Sequence, residues 1–292
     1  HLKNAAGDPI AAPGVFAAYR DGGSSPVAGF EQRKPHMETV FTELENAGFA
    51  RESAYLAWDF TVASTANITG RLLHIRDDAF AALGSATPSF TVTDVSPGTH
   101  DGIDRVVEGT FDVPNYLSGD GGPGSTFDED ATGLPTRNGT FSAVFRCVVP
   151  TKALTTPARP SLYGHGLFGS VNEVTAGNVQ DMAAEHDMVF CGTNWVGMSK
   201  DDILTAAGIL SDLSGFAKLA DRMQQAVLNF LFLGRLMKSS PGLASDPAFQ
   251  NSSGASVLKA GELYYDGNSQ GGIEGGVVTA VSTDLTRSVL GV

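Results

Sequence analysis

The sequence predicts an α/β fold: a mostly parallel sheet flanked by helices, preceded by a β-rich N-terminal region. Three observations carry this. After Pro150, short apolar runs of strand length alternate with longer stretches of helical period, the pattern of a parallel sheet covered by helices. Between Ser89 and Pro150 the candidates are strands only, at 90–95, 105–113 and 140–149. Finally, the aromatic run Leu263-Tyr-Tyr-Asp266 leads through Gly267-Asn-Ser269-Gln-Gly271 into small residues able to begin a helix. The expected division is 1–150, mixed and then β-rich, and 151–292, an α/β core containing the serine turn.

Taken in order, residues 1–35 are rich in Gly, Pro and Ala and read mainly as loop. Met37, Val40, Phe41 and Leu44 recur at helical spacing over 35–47, with Gly48 as a stop. Leu56, Trp58, Phe60 and Val62 alternate with smaller or polar residues, the period of a half-buried strand. Trp58 and Trp195 are accordingly expected in the core. A helix carrying Ile68, Leu72, Ile75, Phe80 and Leu83 precedes Gly84. In the second half the spacing predicts a strand at 160–164, a helix over 172–186, a strand over 188–195 and a helical block over 201–238. That block has apolar residues on more than one face and should be largely buried. Residues 241–261 read as a long polar loop, and 287–292 as the start of another strand.

Composition narrows the function. The formal net charge of -13 argues against a nucleic-acid backbone or an anionic membrane surface as partner, and no basic run reverses that. The longest strongly apolar stretch, 226–233, is too short to span a bilayer. The chain opens His1-Leu2-Lys3, which reads as the interior of a longer sequence, so a removed leader or an upstream segment is expected. Cys147 and Cys191 lie in strand-like runs and permit one disulfide or two buried thiols.

Two motifs could carry chemistry. In a strand, sharp turn and helix context, Gly267-x-Ser269-x-Gly271 presents a serine hydroxyl, and the glycines allow strand and helix to approach closely. The second is Tyr163-Gly164-His165-Gly166-Leu167-Phe168-Gly169, directly after a predicted strand. Gly164-x-Gly166-x-x-Gly169 also matches a dinucleotide fingerprint. The next strand, however, ends Gly192-Thr-Asn-Trp195 without the acidic residue that would hold a ribose. Read together, the motifs place two backbone N–H groups, of Leu167 and Gln270, as donors to a developing oxyanion, with His165, Gly166, Gly267 and Gly271 as supporting loop residues.

On these motifs, residues 158–292 resemble the first half of the α/β-hydrolase core of secreted bacterial esterases and lipases. The N-terminal half resembles the β-rich leader of large extracytoplasmic members. The resemblance implies serine-dependent hydrolysis of a carboxylic ester, small-molecule or lipid, by an extracytoplasmic protein with Ser269 as nucleophile. Acyl-chain length is not legible. The family order is serine, acid, histidine, yet all six histidines, 1, 36, 74, 100, 165 and 186, precede Ser269. Asp284, in the loop after the serine helix, stands too early for the usual acid. The expectation is therefore an incomplete core, whose acid and histidine lie on a C-terminal segment or companion chain, with little turnover from these residues alone. His165 is expected to fix its loop by hydrogen bonding, and His186 to end a helix. A non-catalytic extracellular binding module and a serine peptidase or acyltransferase remain open as alternatives. No cofactor is implied. The loop Asp128-Glu-Asp130 offers oxygen ligands to calcium, with Asp128 and Asp130 as weak candidates, but reads first as a solvated turn.

Overall fold

The computed structural model describes residues 3–292, so His1 and Leu2, with the expectation drawn from them, lie outside the described residues. The chain forms two compact units, one up to Ser64 and the other Thr65–Val292.

The first unit contains α1 (Gly14–Arg20) and α2 (Phe30–Asn46). Residues read as loop thus form a helix, and α2 begins five residues earlier than its spacing suggested, with Pro35 inside its second turn. Phe16, Tyr19, Phe30, Met37 and Phe41 make a small core, in which the Tyr19 and Phe30 rings stack at 4.1 Å. Arg51 closes it with ion pairs to Glu38 and its guanidinium over Phe41. Leu56, Trp58, Phe60 and Val62 correct the expectation of a strand: the segment is irregular and all four side chains are exposed. Alternation yields a strand only where another strand receives its hydrogen bonds, and among its described residues this unit offers none. Trp58 is therefore not a core residue.

The second unit is built on one sheet of seven strands in the order β1-β2-β3-β5-β4-β6-β7. Its antiparallel edge comprises β1 (Phe90–Pro97), β2 (Ile103–Pro114) and β3 (Thr140–Pro150). The parallel part comprises β4 (Arg159–Gly164), β5 (Met188–Gly192), β6 (Tyr264–Asn268) and β7 (Arg287–Gly291). Helices α3 (Thr65–Leu83), α4 (Gly177–His186), α5 (Ile203–Ser211), α6 (Ala217–Lys238) and α7 (Gln270–Val281) accompany it. This is the expected mixed α/β architecture. The β-rich stretch is not a unit of its own, because β3 pairs directly with β5, Cys147 opposite Cys191. A division at residue 150 would part neighbouring strands of a continuous sheet.

The helical block resolves into α5 and α6 with a break at 212–216. Along α6, Leu219, Val227, Phe230, Leu231, Phe232 and Met237 are buried, as an apolar surface on several faces requires. The expected polar loop at 241–261 instead buries Leu243, Phe249, Val257 and Leu258 between short 3-10 turns. Pro241 and Pro247 stand at the starts of these turns, where a missing N–H breaks no helical hydrogen bond, and apolar side chains between them reach the core. Among the described residues no helix is long and apolar enough to cross a membrane.

Cys147 and Cys191 are joined as a disulfide between β3 and β5, closing a separation of 44 residues. Thiol titration under denaturing conditions should find no free cysteine. The Cys147→Ala/Cys191→Ala protein should lose about 2–5 kcal/mol in urea unfolding.

Candidate active site

The backbone at Ser269 is the centre of the site. Between the end of β6 and the start of α7 it adopts φ 55°, ψ -123°, a region that residues with a side chain rarely enter. Its N–H donates to Gly291 O of β7 at 2.7 Å, and its carbonyl accepts from Gly272 and Ile273 to start the helix. The turn needs room on both sides. A Cβ on Gly267 would run into the Gly271 carbonyl, and one on Gly271 into the Gly164 carbonyl at the end of β4. The Tyr265 hydroxyl donates to Gly271 O beneath the turn.

The second motif lies against the first. A Cβ placed on Gly166 would stand 3.9 Å from Ser269 Cβ. The loop from His165 to Gly169 is closed by Gly169 N–H to Gly166 O at 3.0 Å and turns through Phe168 at φ 54°. Glu173 Oε2 accepts the Gly166 N–H at 2.9 Å. From the loop after β5, Met198 O accepts the Phe168 N–H, Lys200 N–H donates to Gly169 O, and Asn194 Oδ1 accepts the Val171 N–H at 2.7 Å. Leu167 is exposed at the loop's tip. Its N–H, and that of Gln270 at the first position of α7, donate to no protein group among the described residues. A helix's first N–H groups lack intrahelical acceptors, so Gln270 keeps its donor by position.

His165 is 1% exposed and has both ring nitrogens engaged. Nε2 accepts the Trp195 N–H at 2.8 Å, so Nδ1 carries the proton and donates to Gly166 O at 2.7 Å. Burial holds its pKa below the ordinary histidine range. It is a neutral brace joining the loop to the β5 exit, and has no lone pair left for Ser269. His186 ends α4 at the surface, its carbonyl accepting from Arg159. His100 contacts Asp181, His36 contacts Asp59, and His74 contacts the Pro135 carbonyl. Ser269 Oγ hydrogen-bonds to none of the described residues.

Asp284 is held by Arg235 at 2.8 Å and Lys238 at 3.4 Å, tying the loop before β7 to the end of α6. Asp130 spends its Oδ1 on Thr132 and the Leu134 N–H, and Glu129 pairs with Arg71. No cluster of three potential metal ligands, Asp128 included, occurs among the described residues. Two carboxyls flank the serine in chain order, Asp266 and Glu274. Both are pushed above the usual carboxylate range by burial, and Glu274 accepts from Gln270 Nε2 at 3.0 Å.

Sequence reasoning missed the loop's supports. Glu173 could have been found, since Ser170-Val-Asn-Glu173 matches a capping-box pattern, although its carboxylate turns back to Gly166 instead of to the cap. Behind the β5 exit, Asp202 is fully buried, accepts from the Gly197 and Ser199 N–H groups and the Ser199 hydroxyl, and pairs with Arg222 at 2.9 Å. Nothing in the local sequence links residues 20 apart on different helices.

Two measurements test this geometry. Ser269→Gly relieves the positive φ while Ser269→Ala keeps it, so the glycine variant should be the more stable by about 1 kcal/mol or more in urea unfolding. For His165 the native state stays neutral where the unfolded chain takes up a proton, below about pH 6.5. Its contribution is full above that pH and lost as pH falls. The raised Asp266 and Glu274 act oppositely, losing stabilisation as pH rises past the ordinary carboxylate range. The difference between wild type and His165→Gln should therefore shrink as unfolding is measured from pH 7 down to pH 5.

No protein-family model and no curated protein matches the chain. Among solved structures it is similar to acetyl xylan esterase 1 of Thermoanaerobacterium sp., at 12% identity and TM-score 0.44, over 75% of this chain and 57% of that one. It is also similar to an acetyl xylan esterase of Paenibacillus sp. R4, at 14% identity and TM-score 0.42, over 80% of this chain and 60% of that one. A third is a glucuronoyl esterase of Solibacter usitatus, at 12% identity and TM-score 0.36, over 74% of this chain and 57% of that one. The chain thus spans less than two thirds of the length of each.

Proposed function

We propose that the protein is a serine hydrolase acting on carboxylic esters through an acyl-enzyme, with Ser269 as the nucleophile. What carries the reading is the backbone of Ser269: a strained turn between strand and helix, with Gly166 of the His-Gly loop beside it. Strain of this kind persists only where surrounding structure over-determines it, and it collects at functional sites. In the proposed mechanism Ser269 Oγ attacks the ester carbonyl. The N–H groups of Leu167 and Gln270 stabilise the oxygen as it becomes negative in the tetrahedral intermediate. The alcohol then leaves with a proton, giving the acyl-enzyme, and water attacks that ester to release the acid and restore the serine. The hydroxyl needs a base to take its proton, and His165 is committed to its two backbone partners. In this proposal the base and its orienting acid come from a segment or companion chain outside these 292 residues. The Cys147–Cys191 disulfide supports an extracytoplasmic location, where such bonds persist.

The test is covalent labelling. A longer form of the protein, carrying the sequence after Val292, should react with a fluorophosphonate at Ser269, and Ser269→Ala should abolish both labelling and ester turnover, the latter by on the order of 10⁴-fold or more. The 292 residues alone should turn over p-nitrophenyl esters little or not at all. Absence of labelling in the longer form would sink the reading and favour a binding module, whereas amide cleavage exceeding ester cleavage would favour a peptidase.

A further inference from the structure

A cleft of about 420 Å³ opens at the same sheet edge as Ser269 and shares Asn194 and Arg222 with the supports of the His-Gly loop. Strands β4, β5 and β6 all end at this edge, and β3, running the other way, extends beyond it by its first six residues, since Arg146 lies opposite Gly192. The cleft is walled by Phe141 and its neighbours at the start of β3, by Thr193 and Asn194 leaving β5, and by the loop at 120–123. Its α6 side presents Arg222 and Asn229. Seven residues apart, these two share a helix face and stand about 10 Å apart along it.

Asn229 is the informative residue. It is fully buried, and its Oδ1 accepts from Gln225 Nε2 at 3.1 Å, yet its Nδ2 has no hydrogen-bond partner. A buried donor left unpaired costs free energy comparable to a lost hydrogen bond, so one that faces a cleft is a candidate ligand contact. The charge pattern restricts that ligand. Arg222 is already matched by Asp202 and also donates to the Gly121 carbonyl, while Asp120 and Asp201 bring carboxylates to the lining. An anion would meet those carboxylates without a free cation in return. An uncharged molecule with many hydroxyls fits. Its oxygens can accept from Asn229, its hydroxyls can donate to Asp120 and Asp201, and an apolar ring face can lie on Phe141.

We propose that this cleft binds the uncharged, hydroxyl-rich portion of the ester, a sugar or another polyol. This rests on the ester-hydrolase reading and deepens it. With strands about 4.8 Å apart, the exit of β5 lies about 10 Å from that of β6, within reach of a substrate one or two sugar rings long with its ester at Ser269. Asn194 belongs to the cleft wall and also accepts the Val171 N–H, so occupancy bears on the loop that carries Leu167.

Saturation-transfer NMR on the 292-residue chain, with maltose and cellobiose as probes and succinate as the anionic control, tests this without needing turnover. At least one disaccharide should bind, and binding should weaken about tenfold in Asp201→Ala and in Asn229→Leu, the loss expected from one hydrogen bond of this kind. Asp201 is exposed, so its variant decides the matter if Asn229→Leu fails to fold. No binding of either sugar, undiminished binding in the folded variants, or succinate binding as well as the sugars would each overturn the proposal. Fluorophosphonate labelling of the longer form separates the two ideas. Labelling without sugar binding removes the cleft assignment alone, and sugar binding without labelling removes the esterase reading on which the substrate role depends.

Discussion

The close approach of two backbones, Gly164 at the end of β4 and Gly271 in the first turn of α7, is the constraint on which the site depends. A single methyl on either glycine would enter the other's space. Because they touch, the strand that delivers the His-Gly loop and the helix that delivers Ser269 are fixed relative to each other by backbone contact, with the Tyr265 hydroxyl packed between them. Interiors this tightly packed do not deform continuously. The distance from Gly166 to Ser269 is therefore set chiefly by main-chain sterics together with the Tyr265 hydroxyl beneath the turn.

The turn's surroundings are polar, and His165 and the Asp202–Arg222 pair among them are buried. His165, Asn194, Glu173 and the Asp202–Arg222 pair each satisfy backbone N–H or C=O groups in the loops beside the turn. An ion pair as buried as Asp202–Arg222 is weak evidence of net stabilisation, because desolvation offsets much of its attraction. Its effect here is geometric. It holds the segment from Gly197 to Asp202, which accepts the Phe168 N–H and so fixes the path of the loop. Burial keeps His165 neutral in the tautomer that accepts from Trp195.

Much of the sheet was legible because its strands follow the simplest physical rule, short apolar runs between breakers, and the serine turn was legible because its glycines have steric work. The fold of residues 56–62 was not. Period-two alternation states that one face would be apolar and is silent on whether a partner strand exists. The burial of 241–261 was missed for the opposite reason, since prolines and glycines advertise a loop while the spaced Leu243, Phe249 and Val257 show no period. The supports of the site were the least legible part. Glu173 left a local trace, but Asp202–Arg222 and the cleft between β3, β5 and α6 join residues far apart in the chain, and only tertiary structure brings them together.

Order along the chain adds a consequence for synthesis. The disulfide partners, the His-Gly loop, its supports and the cleft walls all precede Leu263, the start of the run into Ser269. As the chain emerges, β4 can pair with β5 while its other edge, along Ser161–Gly164, stays open until β6 arrives. An unpaired apolar edge is a template for the wrong strand. Until β6 docks, the edge that will seat the serine strand is also where a nascent chain is most exposed to mispairing.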